Sequence, residues 1–401
     1  IAFYESILLN LNNNNLFLQT ASLKENELDV SISTYQHRNA IRSSSYAASI
    51  VQKVAASHEM DINQINITQI NAGIELNKIK YIANHINNDN LPVELLIRNT
   101  TLESGDPLGF MDDEFKPNID FPVIFSSISP SLVTHIGNPE KFFFGGINLQ
   151  HISEIQFSRN ILLSTEFNAR VYGDFDNTIS GPGSVMEHVR TDLVEYLKED
   201  DIVISRMQLD YVWSPRKDTY AKLSGGIYET MFAGYGIETL YKPFGKNYSL
   251  GFELFHVKQR SFDQRFSFND YDTVTGHLNF GYSLPLGIES NISYGRYLAK
   301  DDGFTFDLGR RTKSGFKAGV YFTRTNVSAE TFGEGSFDKG FYLSVPTSLF
   351  YSDFRTGNIS FGMQPLTKDG GSRLIQHNQL FGILGDSNKR SIFRDWNDLL
   401  E

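Results

Sequence analysis

Cysteine and long apolar runs are both missing from this chain of 401 residues. Without cysteine, disulfide frameworks, thiolate metal sites, cysteine nucleophiles and an acylated cysteine anchor are excluded within this sequence. A transmembrane helix needs about 18 consecutive apolar residues, and the longest candidates here are short, such as residues 121–125. Any passage through a membrane must therefore use β-strands.

Neither sign of charge is concentrated in any part of the sequence. The 36 basic and 47 acidic residues give a formal net charge of −11, with no block of like charges. Nucleic acid is therefore not expected as a partner. The opening residues form an amphipathic pattern rather than a basic segment followed by an apolar one, so we expect the numbering to start at a mature or internal point.

Up to about residue 110 the hydrophobic pattern mixes helical and strand periods. Phe3, Ile7 and Leu11 recur at helical spacing, whereas Leu28 and Val30 alternate with polar residues. Interspersed helices and strands are typical of a small α+β domain, which we assign to residues 1–115. The predicted elements are helices at residues 3–11 and 47–55, the second capped by Ser43, Ser44 or Ser45, and strands at residues 28–32, 65–67, 74–76 and 93–97.

Beyond about residue 120 strict alternation replaces the helical period. Phe304, Phe306 and Leu308, for example, alternate with Thr305 and Asp307. Several runs hold this pattern for about nine to eleven residues, the length that a tilted strand needs to cross a bilayer. Turn signals between the runs predict about twelve strands, to within about two. The predicted fold class is therefore mainly β: an antiparallel transmembrane β-barrel of residues 116–401 after the N-terminal α+β domain.

Polar side chains occupy one face of these strands and aliphatic or aromatic ones the other. Because a membrane sheet must close on itself, we expect the polar face to line a wet lumen. The 32 Phe and 19 Tyr fit an outer surface with aromatic girdles. A soluble two-sheet β-sandwich, with its Phe and Leu in a dry core, is the alternative. The lumen and ligand candidates are Glu166, Arg170, Glu253, His277, Asp307, Arg311 and Lys317.

One stretch within this region has helical spacing instead. Val185, Val189, Leu193 and Leu197 recur every four residues after a Gly-Pro-Gly sequence. This spacing predicts a short helix in a long loop or in the lumen.

Two glycine-rich motifs near the end read as turns. In FGEGSFDKG (residues 332–340) the glycines permit a tight turn with a neighbouring ion pair, and in PLTKDGG (residues 365–371) Asp-Gly-Gly is a turn signal. Charged residues of the first motif could instead line the pore or hold a periplasmic partner. The motif residues concerned are Gly333, Glu334, Gly335, Asp338, Lys339, Asp369 and Gly370.

These two motifs, together with SISPSLVTHIGNPE (residues 127–140) and MFAGYGIETLYKPF (residues 231–244), resemble the YjbH/GfcD family of exopolysaccharide- and capsule-associated outer-membrane β-barrel proteins. The resemblance implies a barrel acting in assembly or secretion of a capsule or exopolysaccharide. Family members are usually longer and resemble lipoproteins with a further barrel upstream. This chain departs from them in length and in having no cysteine to acylate, which puts a lipid anchor in doubt.

Enzyme signatures are absent from the sequence: it has no Gly-x-Ser-x-Gly elbow, no His-Glu-x-x-His and no phosphate-binding glycine loop. The nine histidines include no pair at i and i+4, so neither a metal site nor a cofactor is expected. We therefore expect a protein that is not an enzyme. A barrel hydrolase or deacylase, with Ser and His brought together from different strands, is an alternative.

The leading hypothesis is a barrel in the cell outer membrane, with a periplasmic N-terminal domain, acting in export or assembly of exopolysaccharide or capsule. It would serve as a conduit or as an accessory to a Wza-like translocon. The expected partners are outer-membrane lipid, polysaccharide, and periplasmic and outer-membrane export proteins, a second barrel among the candidates. Lumen charges would bind sugar hydroxyls or carboxylates, with Tyr228, Tyr297 and Tyr321 as stacking platforms, or would only pair with one another. A soluble periplasmic carbohydrate-binding β-protein is the alternative outside the membrane.

Overall fold

The computed structural model describes residues 1–34, 39–88, 92–107, 113–136, 138, 140–179, 185–199, 202–332, 337–347, 358–363 and 369–396. Its strands form two separate sheets, one of five strands and one of thirteen. The mainly β class is confirmed, and thirteen strands in the larger sheet lie within the predicted range.

The five-stranded sheet and the helices packed on it, residues 2–104, form the first layer, and the thirteen-stranded sheet forms the second. Helices and strands of the first layer alternate along the chain. They are α1 (Ala2–Asn12), β1 (Phe17–Lys24), β2 (Glu27–Ser33), α2 (Ala40–Ser57), β3 (Gln64–Asn71), β4 (Ile74–Ile82), α3 (Val93–Asn99) and β5 (Thr101–Ser104). The sheet order is β1-β2-β3-β4-β5, antiparallel except for the parallel pair β2–β3. A parallel pair needs a crossover, and α2 supplies it. Ile7, Leu11, Val51 and Ile67 are fully buried between the helices and this sheet.

Two predictions for this layer are wrong. The side chain of Asn39, not a serine, caps α2 by accepting hydrogen bonds from the N–H groups of Ile41 and Arg42. The predicted strand at residues 93–97 is helix α3, which follows Pro92 and has Glu94 in its first turn, where a negative charge stabilises a helix. A short apolar run does not by itself distinguish a strand from a helix.

The second layer is one antiparallel meander in which each strand pairs with the next along the chain. Its strands are β6 (Val123–Ile136), β7 (Phe143–Ser158), β8 (Ile161–Gly173), β9 (Ile202–Arg216), β10 (Thr219–Ile227), β11 (Phe232–Tyr241), β12 (Tyr248–Arg260), β13 (Phe268–Leu284), β14 (Ile288–Arg296), β15 (Asp302–Arg311), β16 (Lys317–Thr325), β17 (Asp338–Pro346) and β18 (Asn358–Met363). Four short helices accompany them: α4 (Leu193–Leu197), α5 (Ala329–Phe332), α6 (Leu380–Leu384) and α7 (Lys389–Arg394). Of the predicted helix at residues 185–197, only α4 is helical.

The expected closed barrel differs from the observed sheet at one place. Among the described residues no pairing joins β6 to β18, so the sheet is open between its first and last strands. After thirteen successive antiparallel strands these two edges run in the same direction, so direct pairing between them would have to be parallel. Every other neighbour pair of this sheet is antiparallel, and β18 has 6 residues against 14 in β6.

Polar and apolar side chains lie on opposite faces of the second sheet. On β13 Leu278 is 60% exposed whereas the adjacent His277 is 3% exposed, and on β12 Phe252 and Glu253 are 39% and 7% exposed. The polar face is thus buried inside the curled sheet and the apolar face lies outside. A β-sandwich would have the reverse arrangement, so that alternative does not describe this fold.

Residues 369–396, which we call the tail, leave the sheet and return through its interior to the first layer. Near the end of the tail, Ile392 and Trp396 are buried in the same cluster as Ile7 and Val51. The predicted boundary near residue 115 falls between the two sheets, but the end of the tail belongs with the first layer in space.

Candidate functional site

Two polar regions lie on the inner face of the second sheet. The first, the tail groove, consists of the inner side chains that contact the tail. The second, the distal pocket, is a cavity of about 160 Å³ at the end of the sheet remote from the first layer. A larger concavity of about 550 Å³ lies on the apolar outer face and contains none of the predicted site residues.

Asp369 anchors the distal end of the tail. It is 1% exposed, and its Oδ1 accepts hydrogen bonds from the N–H groups of Arg190 and Thr191 at 2.8 and 2.9 Å. The Thr191 hydroxyl donates to its Oδ2 at 2.7 Å. Next to it, a Cβ on Gly370 would come within 2.6 Å of the Phe332 ring, so a larger residue there would require that ring to move. The predicted turn is therefore also an attachment point.

Arg373 fixes the middle of the tail to the sheet. Its guanidinium donates to Glu253 at 2.5 Å, to Ser293 at 3.0 Å and to Asn279 at 3.2 Å. His277 Nδ1 lies 3.0 Å from the same Glu253 carboxylate. The predicted residues Glu253 and His277 are thus neighbours, and the sequence pattern missed the arginine that joins them to the tail.

The next residues of the tail bind the proximal half of the groove. His377 Nε2 lies 2.9 Å from Glu154, and the Asn378 amide donates to Ser164 at 3.0 Å and Asp210 at 3.2 Å. Then Lys222 donates to the Asn378 carbonyl at 3.0 Å. Glu238 joins the groove as well: it forms an ion pair with Lys222 and accepts a hydrogen bond from the Leu380 N–H, each at 3.0 Å.

Asp386 holds the tail where it leaves the sheet. Its carboxylate lies between Arg311, at 2.7 Å, and Arg394, at 3.0 Å. Burial alone would raise the pKa of Asp386, but these two guanidinium groups lower that pKa below its ordinary value. The first layer contributes as well, because the amide of Asn71 donates to the Ile383 carbonyl at 2.9 Å.

The tail therefore crosses the whole interior of the curled sheet and fills the groove with its own donors. The wall residues that bind it come from nine consecutive strands: Glu154 of β7, Ser164 of β8, Asp210 of β9, Lys222 of β10, Glu238 of β11, Glu253 of β12, Asn279 of β13, Ser293 of β14 and Arg311 of β15.

The other predicted lumen residues pair with neighbours on the wall. Tyr342 donates to Asp307 at 2.9 Å, and Lys317 forms an ion pair with Glu289 at 3.2 Å. Glu166 and Arg170 lie in the distal pocket.

Of the motif residues, Asp338 is buried beside Gly371, and the Lys339 ammonium lies 4.7 Å from the centre of the Phe337 ring. Gly333, Glu334 and Gly335 lie outside the described residues.

The predicted stacking platforms are only partly accessible. Tyr228 is 2% exposed and Tyr297 is fully buried, with its hydroxyl 2.6 Å from that of Thr305. Neither ring can stack on a sugar, so this prediction is wrong for both. Tyr321 is half-buried. Strand alternation identifies the face on which a ring lies but not whether another segment covers it.

Across the described ranges, His, Asp and Glu side chains form no group of three that could hold a metal ion. None of the helices in the same ranges is long and apolar enough to cross a bilayer.

Fold and site together define a class of protein: a curled antiparallel sheet with an apolar outer face, whose polar interior is occupied by a segment of the same chain. The chain belongs to the YjbH family, because the family model described as "Exopolysaccharide biosynthesis protein YbjH" matches residues 5–386. The uncharacterized lipoprotein YjbH of Escherichia coli (strain K12) is 31% identical over 334 residues, covering 81% of this chain and 47% of that protein. The chain thus spans about half the length of this curated relative.

Several solved structures have partial likeness to this chain. OmpF of Salmonella typhi, in complex with daunomycin, has a TM-score of 0.30 at 9% identity, covering 55% of this chain and 84% of its own. OmpT of Vibrio cholerae has a TM-score of 0.27 at 10% identity, covering 65% of this chain and 96% of its own.

Proposed function

We propose that this chain is an outer-membrane β-barrel of a Gram-negative bacterium that works in export or assembly of exopolysaccharide, with its first layer in the periplasm. Membership of a family described by exopolysaccharide biosynthesis supports the process. The observation that carries the location is the inverted polarity of the second sheet, with Glu253 and His277 buried inside and Phe252 and Leu278 exposed outside. In water such an outer face would be unfavourable, whereas in lipid it is the expected one.

Strand lengths support the same location. β12 has 13 residues and β13 has 17. A strand of about ten residues, tilted by about 45°, crosses the hydrocarbon core. These strands can therefore cross a bilayer and extend beyond it. We expect outer-membrane fractionation and heat-modifiable gel mobility, whereas a soluble periplasmic protein would stay in the aqueous phase without detergent.

A membrane location also requires the open edge to close. Each unpaired backbone group in hydrocarbon costs several kcal/mol, so we infer that β6 and β18 pair in the membrane. Cysteine pairs that combine Ser127, Ser129 or Ser131 of β6 with Ser360 of β18 test this on a cysteine-free background. The control is Ser344→Cys with Ser360→Cys, since these two are register partners on β17 and β18. Cross-linking of the control without any β6–β18 link would contradict closure.

The filled tail groove favours one of the two expected roles. Because the tail is held by buried contacts along its length, we propose the accessory role, as a docking platform beside an export protein such as a Wza-like translocon, over an open passage. Deletion of the gene should then lower surface polysaccharide while synthesis continues. Unchanged surface polysaccharide would contradict the proposed function.

A covalent link between the tail and the wall distinguishes the platform role from passage of polymer through the sheet. The Asn378 amide nitrogen lies 3.0 Å from the Ser164 hydroxyl, so a short bifunctional thiol reagent should bridge Ser164→Cys and Asn378→Cys and lock the tail inside. The control, Ser153→Cys with Thr165→Cys, joins register partners of β7 and β8 without involving the tail. Under the platform role both variants keep surface polysaccharide. Loss in the locked variant alone would favour passage through the sheet.

A non-enzymatic role is part of this proposal. The Ser126 hydroxyl lies 3.0 Å from His151 Nε2, but across the described part of the chain no carboxylate contacts His151. A serine hydrolase needs a partner that orients its histidine, so this pair does not favour a hydrolase or deacylase. Turnover of an ester or glycan substrate that Ser126→Ala abolishes would contradict the non-enzymatic role.

A further inference from the structure

The distal pocket lies beside the tail rather than beneath it. It is enclosed by β6, β7, β8, β9 and helix α4, and it has a volume of about 160 Å³. On β7, β8 and β9 the tail contacts Glu154, Ser164, Gln208 and Asp210, and none of these lines the pocket. We propose that the distal pocket binds one neutral, hydroxyl-rich sugar unit of the polysaccharide. This inference rests on the proposed function and names the saccharide contact within it.

The polar floor of the pocket is built by strand register. Asn148 pairs with Arg170, and Gln150 pairs with Asn168, on the adjacent strands β7 and β8. Because side chains two residues apart share a face, these four project together into the interior. Hydrogen bonds fix them: Arg170 Nε donates to Asn148 Oδ1 at 2.8 Å, and the Gln150 amide donates to Glu166 at 2.9 Å. The floor is thus ordered without a ligand.

Two acceptors of this floor are available to a ligand. The Gln150 side chain donates to Glu166, and the Asn168 side chain donates to Glu166 and to Ser205 at 2.8 Å. Neither Gln150 Oε1 nor Asn168 Oδ1 accepts a hydrogen bond from any residue that the structure describes. An amide carbonyl accepts up to two hydrogen bonds. Sugar hydroxyls would donate to these two oxygens and accept from the guanidinium and hydroxyl groups beside them.

An apolar wall faces the polar floor. Leu193 and Leu197 of α4 form it, and both side chains are half-buried. Tyr196 of the same helix is 1% exposed and holds α4 in place, because its hydroxyl donates to the Arg260 carbonyl at 2.5 Å. A pyranose ring presents C–H groups on its faces and hydroxyls around its rim, so it can contact the wall and the floor together. Apolar walls with a few placed polar groups are typical of small-ligand sites.

Charge selects among sugars. Glu166 forms an ion pair with Arg206 at 3.1 Å. The other two charged residues of the lining, Arg170 and Glu199, have opposite signs, so the pocket has no excess of either charge. Without excess positive charge, a uronate gains no net attraction and its carboxylate loses hydration. A neutral hexose unit is therefore favoured over an acidic one.

Calorimetric titration of the full chain in detergent tests the proposal, with glucose, galactose and mannose as neutral probes and glucuronate and galacturonate as acidic ones. At least one neutral hexose should bind more tightly than the uronates. Gln150→Ala and Asn168→Ala should each weaken binding about three- to tenfold, the effect of one hydrogen bond. Gln156→Ala is the matched control: it changes the same residue type on β7, where the side chain donates to the Arg159 carbonyl and does not line the pocket.

Three results would overturn the proposal: no binding of any neutral hexose, tighter binding of a uronate, or equal affinity in the pocket variants and Gln156→Ala. Heat-modifiable mobility of every variant excludes misfolding as the cause of lost binding. None of these results would contradict the proposed function, which is tested separately by membrane fractionation and by the deletion phenotype. A protein that fractionates with the outer membrane and supports export but binds no sugar would overturn the pocket alone.

Discussion

Replacing Arg373 by methionine should release the tail from the interior. Arg373 is 30% exposed and its partner Glu253 is 9% exposed, with 2.5 Å between guanidinium and carboxylate. Breaking a buried ion pair costs about 3–5 kcal/mol, because the remaining charge has lost its partner. Since water reaches part of Arg373 and His277 still contacts Glu253, we expect about 2–4 kcal/mol in this case. The population with the tail displaced should rise about 30- to 1000-fold.

A single reporter cysteine measures this displacement. Ser372 is 6% exposed and immediately precedes Arg373, so Ser372→Cys should react with a maleimide only when the tail leaves. In the Ser372→Cys background, Arg373→Met should accelerate labelling about 30- to 1000-fold. Arg296→Met is the matched control, because Arg296 forms a 3.0 Å ion pair with Asp302 while 54% of its side chain is exposed. Such a surface pair contributes about 0–1 kcal/mol and does not involve the tail.

A double variant separates the lost contact from the unpaired charge. Adding Glu253→Gln to Arg373→Met removes the uncompensated carboxylate and should restore slow labelling in part. Labelling of the single Arg373→Met variant within twofold of its parent would refute the assignment of Arg373 as an anchor of the tail.

Three further predictions concern the first layer and the end of the tail. Trp396→Ala should lower the free energy of unfolding of the first layer by about 3 kcal/mol in a denaturant titration, because Trp396 is buried. Phe393→Ala is the control and should lower it by much less, since Phe393 is 51% exposed. Equal effects of the two variants would contradict the burial of the tail end. Burial raises the pKa of Glu75 above its ordinary 4.5, so the thermal stability of the first layer should fall as the pH rises through that raised value, and Glu75→Gln should abolish the dependence. The lowered pKa of Asp386 means that its contribution is present above its ordinary 3.8 and is lost as the pH falls through the lower folded value; Asp386→Asn should make proteolysis of the tail insensitive to acid over that range.

The wall of the second layer could be predicted because its signal is local. In runs such as residues 304–308 each side chain's face follows from the alternation with its immediate neighbours. The inward position of Glu253 and His277 follows in the same way. Alternation does not give the height along a strand, so it could not distinguish Glu166 and Arg170, in the distal pocket, from Glu253, in the tail groove.

The tail could not be predicted because its partners are distant in sequence. Asp369 binds Arg190 and Thr191, which precede it by 179 and 178 residues, and Arg373 binds Glu253, 120 residues earlier. The tail has no long alternating run, so its Asp-Gly-Gly sequence predicts only a turn. Whether the sheet closes could not be predicted either, because closure depends on contact between β6 and β18, the first and last strands of the sheet.

The central claim is that the outer face of the second sheet contacts lipid, and water accessibility of single cysteines in native outer membranes tests it. N-ethylmaleimide reacts with the thiolate, which forms where water reaches the thiol. Leu278→Cys, on the outer face, should be labelled far more slowly than Ser314→Cys, in the exposed turn between β15 and β16. After the protein is unfolded without detergent, Leu278→Cys and Ser314→Cys should be labelled at equal rates. Rapid labelling of Leu278→Cys in intact membranes, at the rate of Ser314→Cys, would contradict the membrane location and the account built on it.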